Sequence, residues 1–333
     1  MRPRSDLACR VFLLFLVQFF VPAILPVSAQ EAEIQAHRGG RGLWPENTLS
    51  AFRRAIEMGV TTLELDLAAT KDRILVISHD PILSGTLVRN SDGAFLEPEE
   101  ERLIKDLTST ELREYKVGRI NRRSDYYYRF REQRPVSDER IPSLEQLFDM
   151  TREISAQTRV DLFFNIEIKT YPPFPDYTIE NREFVSLLLD VLEKRNLKDY
   201  VTIQSFDWRN LLLVREMAPD ISIACLAVNH FTIQGVPYNL QRGRPGSSPW
   251  LAGYDVDDYM SVPELVSAFG ADVYSPYYRE ISEADVRDVH KRGLKVIPWT
   301  VNDEETADRL ISWGVDGIIT DRPDILMDMI QNP

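Results

Sequence analysis

Apolar residues along the chain follow two alternating rhythms. Short apolar or every-second-residue runs predict strands at EIQAH (33–37), TTLELDLAAT (61–70), RILVISHD (73–80), VDLFFNIEIK (160–169) and YVTIQSF (200–206). Four more follow at ISIACLAV (221–228), DVYSP (272–276), KVIPWTV (295–301) and VDGIITD (315–321). Between them the apolar spacing changes to that of a helix. In NTLSAFRRAIEMG (47–59), Leu49, Phe52 and Ile56 share one face and Gly59 ends the run. NREFVSLLLDVLEKRN (181–196) and WRNLLLVREMA (208–218) repeat the pattern.

Strands that alternate with helices imply parallel pairing through right-handed crossovers. The second and third runs, joined by a tight Lys71-Asp72 turn, form a hairpin, which leaves about eight strand–helix units. No glycine-rich phosphate loop of the dinucleotide type follows the first strand. The pattern therefore predicts a closed (β/α)8 TIM-type barrel. Residues 81–140 break the rhythm: they are polar, carry NSDG (90–93) and NRRSDYYYRFREQRP (121–135), and hold one helix start at TSTELREY (108–115). They read as an insertion after the second-strand hairpin that runs over the barrel mouth.

The chain has 333 residues, 44% of them hydrophobic and 27% charged, the balance of a globular protein. A barrel of about 250 residues fits one domain, here 30–333. The first residues stand apart. Arg2, Arg4 and Arg10 precede the apolar VFLLFLVQFFVPAIL, and VSA precedes Gln30, the pattern of a signal peptide cleaved after Ala29. An exported protein, periplasmic or secreted, is expected, without stable membrane insertion. Losing residues 1–29, with three arginines and one aspartate, takes the net charge from −13 to −15. Such a surface repels nucleic acid and anionic membranes in bulk. Only Cys225 remains after cleavage, so no internal disulfide forms.

Active groups of such barrels sit at the C-terminal strand ends. Here those positions carry His37 and Arg38, then Glu64 and Asp66, His79, and Glu167 with Lys169. Alternate strand residues share a face, so Glu64 and Asp66 point together, as do Asn165, Glu167 and Lys169. Converging carboxylates repel unless a cation joins them, and oxygen ligands favour Mg²⁺ or Ca²⁺. Two histidines bracketing them suit acid and base positions around phosphorus, with Arg38 as a bidentate phosphate donor and Lys169 as a point charge. Trp299 and Phe206 offer surfaces against a substrate, and Tyr126, Tyr127 and Tyr128 offer a lid or a contact for a cationic head group. The glycines beside His37 suit a backbone passing close to the substrate. His230 and His290 receive no role.

The chain resembles the glycerophosphodiester phosphodiesterase family, in order, through AHRG (36–39), PENT (45–48), ELDL (64–67) and VISHDP (76–81). RIPSLEQLF (140–148), NIEIK (165–169), IQSFD (203–207), VIPWTVN (296–302) and GVDGIITDRP (314–323) continue the match. The resemblance implies a divalent-cation enzyme that releases an alcohol and glycerol 3-phosphate from a small phosphodiester. It implies His37 and His79 as the acid/base pair, Glu64, Asp66 and Glu167 as metal ligands, and Arg38, Lys169 and Trp299 as substrate contacts. Glu46 and Asn47 belong to the motif that shapes the first loop. Two other readings stand beside it. One is a lysophospholipase D or sphingomyelinase-D-like enzyme, which an apolar groove at the mouth would favour. The other is a non-catalytic exported binding protein, which would be expected to have lost a histidine or a carboxylate.

Overall fold

The chain alternation produces eight strands, each followed by a helix. The strands are β1 (Glu33–His37), β2 (Thr62–Ala69), β3 (Phe163–Ile168), β4 (Val201–Ser205), β5 (Ser222–Ala227), β6 (Val273–Pro276), β7 (Lys295–Val296) and β8 (Gly317–Thr320). The helices are α1 (Leu49–Glu57), α2 (Leu144–Thr158), α3 (Asn181–Arg195), α4 (Trp208–Met217), α5 (Val262–Phe269), α6 (Glu283–Lys291), α7 (Glu304–Ser312) and α8 (Pro323–Gln331). These positions come from a computed structural model that describes residues 32–331. The signal peptide expected over 1–29 lies outside the described residues.

Parallel ladders join the strands in the order β7-β6-β5-β4-β3-β2-β1-β8. The two ends meet through single backbone bonds: Asp316 N–H donates to Val296 O at 3.0 Å and Ile319 N–H to Pro298 O at 3.0 Å. The result is a nearly closed TIM-type barrel. The β7 ladder stops at Val296, five residues short of the predicted run, because Pro276 has no N–H to give Ile297 O and Pro298 none to give β8. Beyond it Ile297 and Trp299 N–H still donate to Tyr274 and Pro276 O at 3.0 Å.

The strand alternation sorts side chains into two compartments. Leu63, Leu65 and Leu67 of β2, Ile166 and Ile168 of β3, and Ile203 of β4 are fully buried in the main core, which holds Phe52, Phe148 and Phe184 of the helices. The opposite strand faces fill the lumen, and they are not uniform. Ala224, Val273, Ile297 and Ile319 make an apolar half. Gln35, Glu64, Asp66, Asn165, Glu167 and Gln204 are all buried and polar. Burying so many polar groups is tolerable only if they bond one another.

The turn after β1 is tight. Gly39 has φ +81°, and a Cβ there would sit 2.9 Å from Ala51 Cβ. At Gly40 it would lie 3.0 Å from the Pro323 ring. Both glycines therefore let the turn pack on α1 and α8, a helix-packing reason rather than the substrate approach expected from sequence.

The 81–140 insertion builds its own apolar cluster of Leu83, Val88, Leu96, Ile104 and Leu112 on Ala68 and Val76 of the β2 hairpin. It contains the predicted helical turn Ser109–Leu112 and a short helix Asp125–Arg129 that the pattern did not predict. Its return is tied to the β1 loop, where Gln133 Nε2 donates to Arg41 O at 2.9 Å and Arg134 N–H to Leu43 O at 2.8 Å. A second excursion, after β5, escaped the sequence reading. It forms a small antiparallel hairpin, Thr232–Ile233 with Val236–Pro237, pinned by Asn239 Nδ2 donating to Phe206 O at 2.8 Å.

Candidate active site

A cavity of about 510 Å³ opens at the C-terminal end of the strands. His37, Arg38, Glu64, His79, Glu167, Lys169 and Trp299 line it. Asp66 is fully buried within reach of the same groups. Register explains the convergence: His37 stands opposite Glu64, and Asp66 opposite Glu167.

Glu64, Asp66 and Glu167 each bring a carboxylate oxygen within 4.8 Å of the others, among the described residues a group able to hold a metal. A polar floor holds Glu64: Gln204 Nε2 donates to its Oε1 at 2.7 Å, and Arg38 N–H to its Oε2 at 2.9 Å. Asn165 Nδ2 in turn donates to Gln35 and Gln204 at 2.7 and 3.1 Å. Asp66 Oδ2 accepts from Asn47 Nδ2 at 3.0 Å. Its buried Oδ1 has no hydrogen-bond partner, and the Lys169 ammonium lies 3.3 Å from it. An orphaned carboxylate oxygen inside an all-oxygen cluster fits a hard divalent cation.

The electrostatics say the same. Burial, then Asp66 and Glu167, push Glu64 well above the ordinary carboxylate range. Burial also raises Glu167, to about 7. Burial opposes ionisation of Asp66, but Lys169 and Arg38 outweigh it and hold that carboxyl well below its usual value. Three acids thus share one negative environment unequally, as like charges at short range must.

The two cations expected to grip phosphate meet carboxylates here. Arg38, at φ 52°, places Nη1 2.7 Å from Glu46 and Nε 3.1 Å from Asp66. Lys169 Nζ lies 2.9 Å from Glu167. Glu46 and Asn47 thereby position Arg38 and Asp66.

Each histidine is held by an aspartate the sequence reading did not assign. His37 Nδ1 lies 2.6 Å from Asp321 Oδ1 just after β8, and its Nε2 faces Glu64 at 3.9 Å. His79 Nδ1 lies 2.7 Å from Asp80. Asp321 also accepts from Arg41 Nε at 2.6 Å and Asn302 Nδ2 at 2.9 Å. The signal was present: a strand-end aspartate on the strand that closes the barrel beside β1. Burial and the nearby Arg41 lower His37 to about 4, with Asp321 pulling the other way. Burial, Arg38 and Lys169 lower His79 too. His37 is thereby held neutral at pH 7, and each ring has its Nδ1 fixed against a carboxylate.

The remaining wall is aromatic. Trp299 donates through Nε1 to Ser275 O at 2.9 Å and packs edge-on to Phe206 at 5.3 Å. Phe231 and Tyr238 of the second excursion extend this surface. Of the tyrosine triplet only Tyr126 lines the cavity, bonded to Glu46, while Tyr128 is 63% exposed. His230 pairs with Glu280 and His290 with Asp316, both away from the cavity.

The His37 environment makes a direct test. In the metal-free protein, NMR titration of its ring is expected to give a midpoint near 4, and Asp321→Asn to lower it further by removing a favourable charge. The folded value lies below the ordinary 6.5, so the neutral ring's contribution to stability is complete above 6.5 and lost as pH falls towards 4. A His37 midpoint at or above 6.5 would overturn this picture.

The glycerophosphoryl diester phosphodiesterase family model matches residues 37–325. A glycerophosphodiester phosphodiesterase of Caldanaerobacter subterraneus subsp. tengcongensis is 31% identical over 89% of this chain and 96% of its own. A Silicibacter pomeroyi DSS-3 structure, assigned as a glycerophosphoryl diester phosphodiesterase, is 29% identical with a TM-score of 0.76, covering 90% of this chain and 94% of that one. The fold also matches an Oleispira antarctica phosphodiesterase solved with the product sn-glycerol-3-phosphate, at 21% identity and a TM-score of 0.65, over 91% and 98% of the two chains. This chain therefore belongs to the glycerophosphoryl diester phosphodiesterase family and is a phosphoric diester hydrolase of it.

Proposed function

We propose that the protein hydrolyses glycerophosphodiesters to an alcohol and sn-glycerol 3-phosphate, with His37 and His79 as the proton-transfer pair. The observation that carries the reading is the meeting of two carboxylate-held histidines and a buried acid triad in one cavity. Glu64, Asp66 and Glu167 would hold a Mg²⁺ or Ca²⁺ ion, which would supply charge neutralisation at the phosphate oxygens. Arg38 and Lys169 then donate to the same oxygens. His37, held by Asp321, accepts the proton of the attacking oxygen at Nε2. His79, half-buried and nearer to solvent, takes up a proton from water at its second nitrogen and delivers it to the leaving alkoxide.

His37→Ala and His79→Ala are each expected to lower kcat by about 10²–10⁴ with an unchanged circular dichroism spectrum. A chelator is expected to abolish turnover of glycerophosphocholine and Mg²⁺ or Ca²⁺ to restore it. Near-native turnover in either variant, or indifference to chelator, would sink the mechanism.

A second reading is favoured by the aromatic wall. From Phe206 and Trp299 it runs out to Phe231, which is 41% exposed at the mouth. An alcohol bearing an acyl chain would lie along it, giving lysophospholipase D activity from the same residues. Phe231→Ser is then expected to lower kcat/KM for lysophosphatidylcholine about tenfold and to leave glycerophosphocholine nearly unchanged. Equal effects on both substrates would reject the acyl-chain path.

Export to a periplasmic or extracellular space is supported by the basic, apolar and small-residue order of residues 1–29. The exported protein's intact mass is expected to correspond to a chain starting at Gln30. A mass that retains Met1–Ala29 would count against cleavage there.

A further inference from the structure

The 81–140 insertion holds a charge pattern that the reaction does not use. Over residues 119–134 it carries Arg119, Arg122, Arg123, Arg129, Arg131 and Arg134 against only Asp125 and Glu132, a local excess of four positive charges in a chain of net charge −13. All six arginines are exposed. Among the described residues they make no ion pair with a carboxylate. Arg122 and Arg129 lie over tyrosine rings at 5.9 Å, and Arg134 over Trp44 at 5.4 Å. Glu132 is taken by Arg322. Unpaired guanidinium groups concentrated in an acidic protein mark a surface made for an anionic partner, and their planar forks match phosphate.

Two further features choose among anionic partners. Tyr128 stands 63% exposed in the middle of this segment, and across the mouth Phe231 is 41% exposed. A dissolved polyanion gains little from exposed rings. A lipid surface gains from both features, since aromatic rings settle at the head-group level and arginines bind anionic lipid. The segment is also continuous with the reaction cavity, because Tyr126 and Arg129 line it. Among the described residues no helix is long and apolar enough to cross a membrane, so such contact would be peripheral.

We propose that the arginine- and tyrosine-rich segment 119–134 docks the barrel mouth onto an anionic phospholipid surface. The net negative charge of the rest of the chain favours that orientation. This surface contact does not depend on which diester is cleaved.

The test is co-sedimentation of the full chain with vesicles of phosphatidylcholine alone or mixed with phosphatidylglycerol, across a salt series. Any contribution of residues 1–31 is common to all proteins compared. The wild-type chain is expected to bind the mixed vesicles more tightly than the neutral ones and to be released by salt. Each basic residue near such a surface changes binding about fivefold, so Arg122→Gln/Arg123→Gln/Arg131→Gln is expected to weaken binding by about 100-fold. The three residues lie outside the cavity, and turnover of glycerophosphocholine is expected to be unchanged. Equal binding by wild type and variant would overturn the proposal, as would wild-type binding indifferent to lipid charge or salt. Capture of soluble poly(glycerol phosphate) without vesicle binding would overturn it in favour of a dissolved polyanion. Should the triple variant fail to fold, Arg122→Gln/Arg123→Gln compared with the wild-type chain in the same assay decides the matter, and none of it requires turnover.

Discussion

The site is governed by repulsion among three acids. Glu64, Asp66 and Glu167 sit on two adjacent barrel strands with oxygens within 4.8 Å, in a lumen where charge is poorly solvated. Nearly every polar group around them relieves that repulsion. Gln204 and the Arg38 amide bond Glu64, Asn47 bonds Asp66, and Lys169 bridges Asp66 and Glu167. Even so, Glu64 and Glu167 are pushed up and Asp66 Oδ1 stays without a hydrogen bond. A divalent cation answers all three conditions at once. It would also take over part of the charge balance at Asp66 and Glu167 that Lys169 and Arg38 now supply.

Such a cluster is tolerable because the lumen is divided. One half is closed by the buried apolar cluster of Ala224, Val273, Ile297 and Ile319. The other is a connected chain of amides, Gln35 to Asn165 to Gln204, ending on Glu64. A bonded polar network fixes its members where a loose one would not, and here only Asn165 Oδ1 of the three amides stays buried without a partner. The barrel then contributes its closure: β8 lies beside β1, so Asp321 meets His37 although 284 positions separate them.

What the sequence showed follows the reach of its signals. Period-two and apolar runs located β1 to the residue and β2 within one residue at each end, because both faces of a barrel strand are buried and leave a continuous trace. Glu64, Asp66 and Glu167 were legible because strand parity alone puts them on one face. β7 was not, since its run looks apolar while Pro276 and Pro298 remove donors. Asp80 adjoins His79 in the sequence and was legible there, whereas Asp321 needed the closure of the barrel, a contact that no local pattern contains. The excursion after β5 was missed for another reason. Its aromatics, Phe231, Tyr238 and Trp250, are spread through polar loop sequence and become a surface only when Asn239 pins the loop to Phe206.

The two histidine dyads differ in a way that bears on their division of labour. His37 and Asp321 belong to the barrel itself, both buried, with Arg41 and Asn302 also fixing the aspartate. His79 and Asp80 follow the short hairpin strand Leu75–Ile77 and stand closer to solvent. A buried ring with its tautomer locked suits taking a proton from a nucleophile held at a fixed place. A ring at the edge of the insertion can exchange protons with water, which the proposed proton donor to the departing alcohol must do. The same edge carries Thr86 and Leu87 into the cavity, while Tyr126 reaches back to Glu46 and hence to Arg38. The insertion is therefore part of the reaction centre's support: the barrel sets the acids and one histidine, and the insertion braces the other side of the mouth.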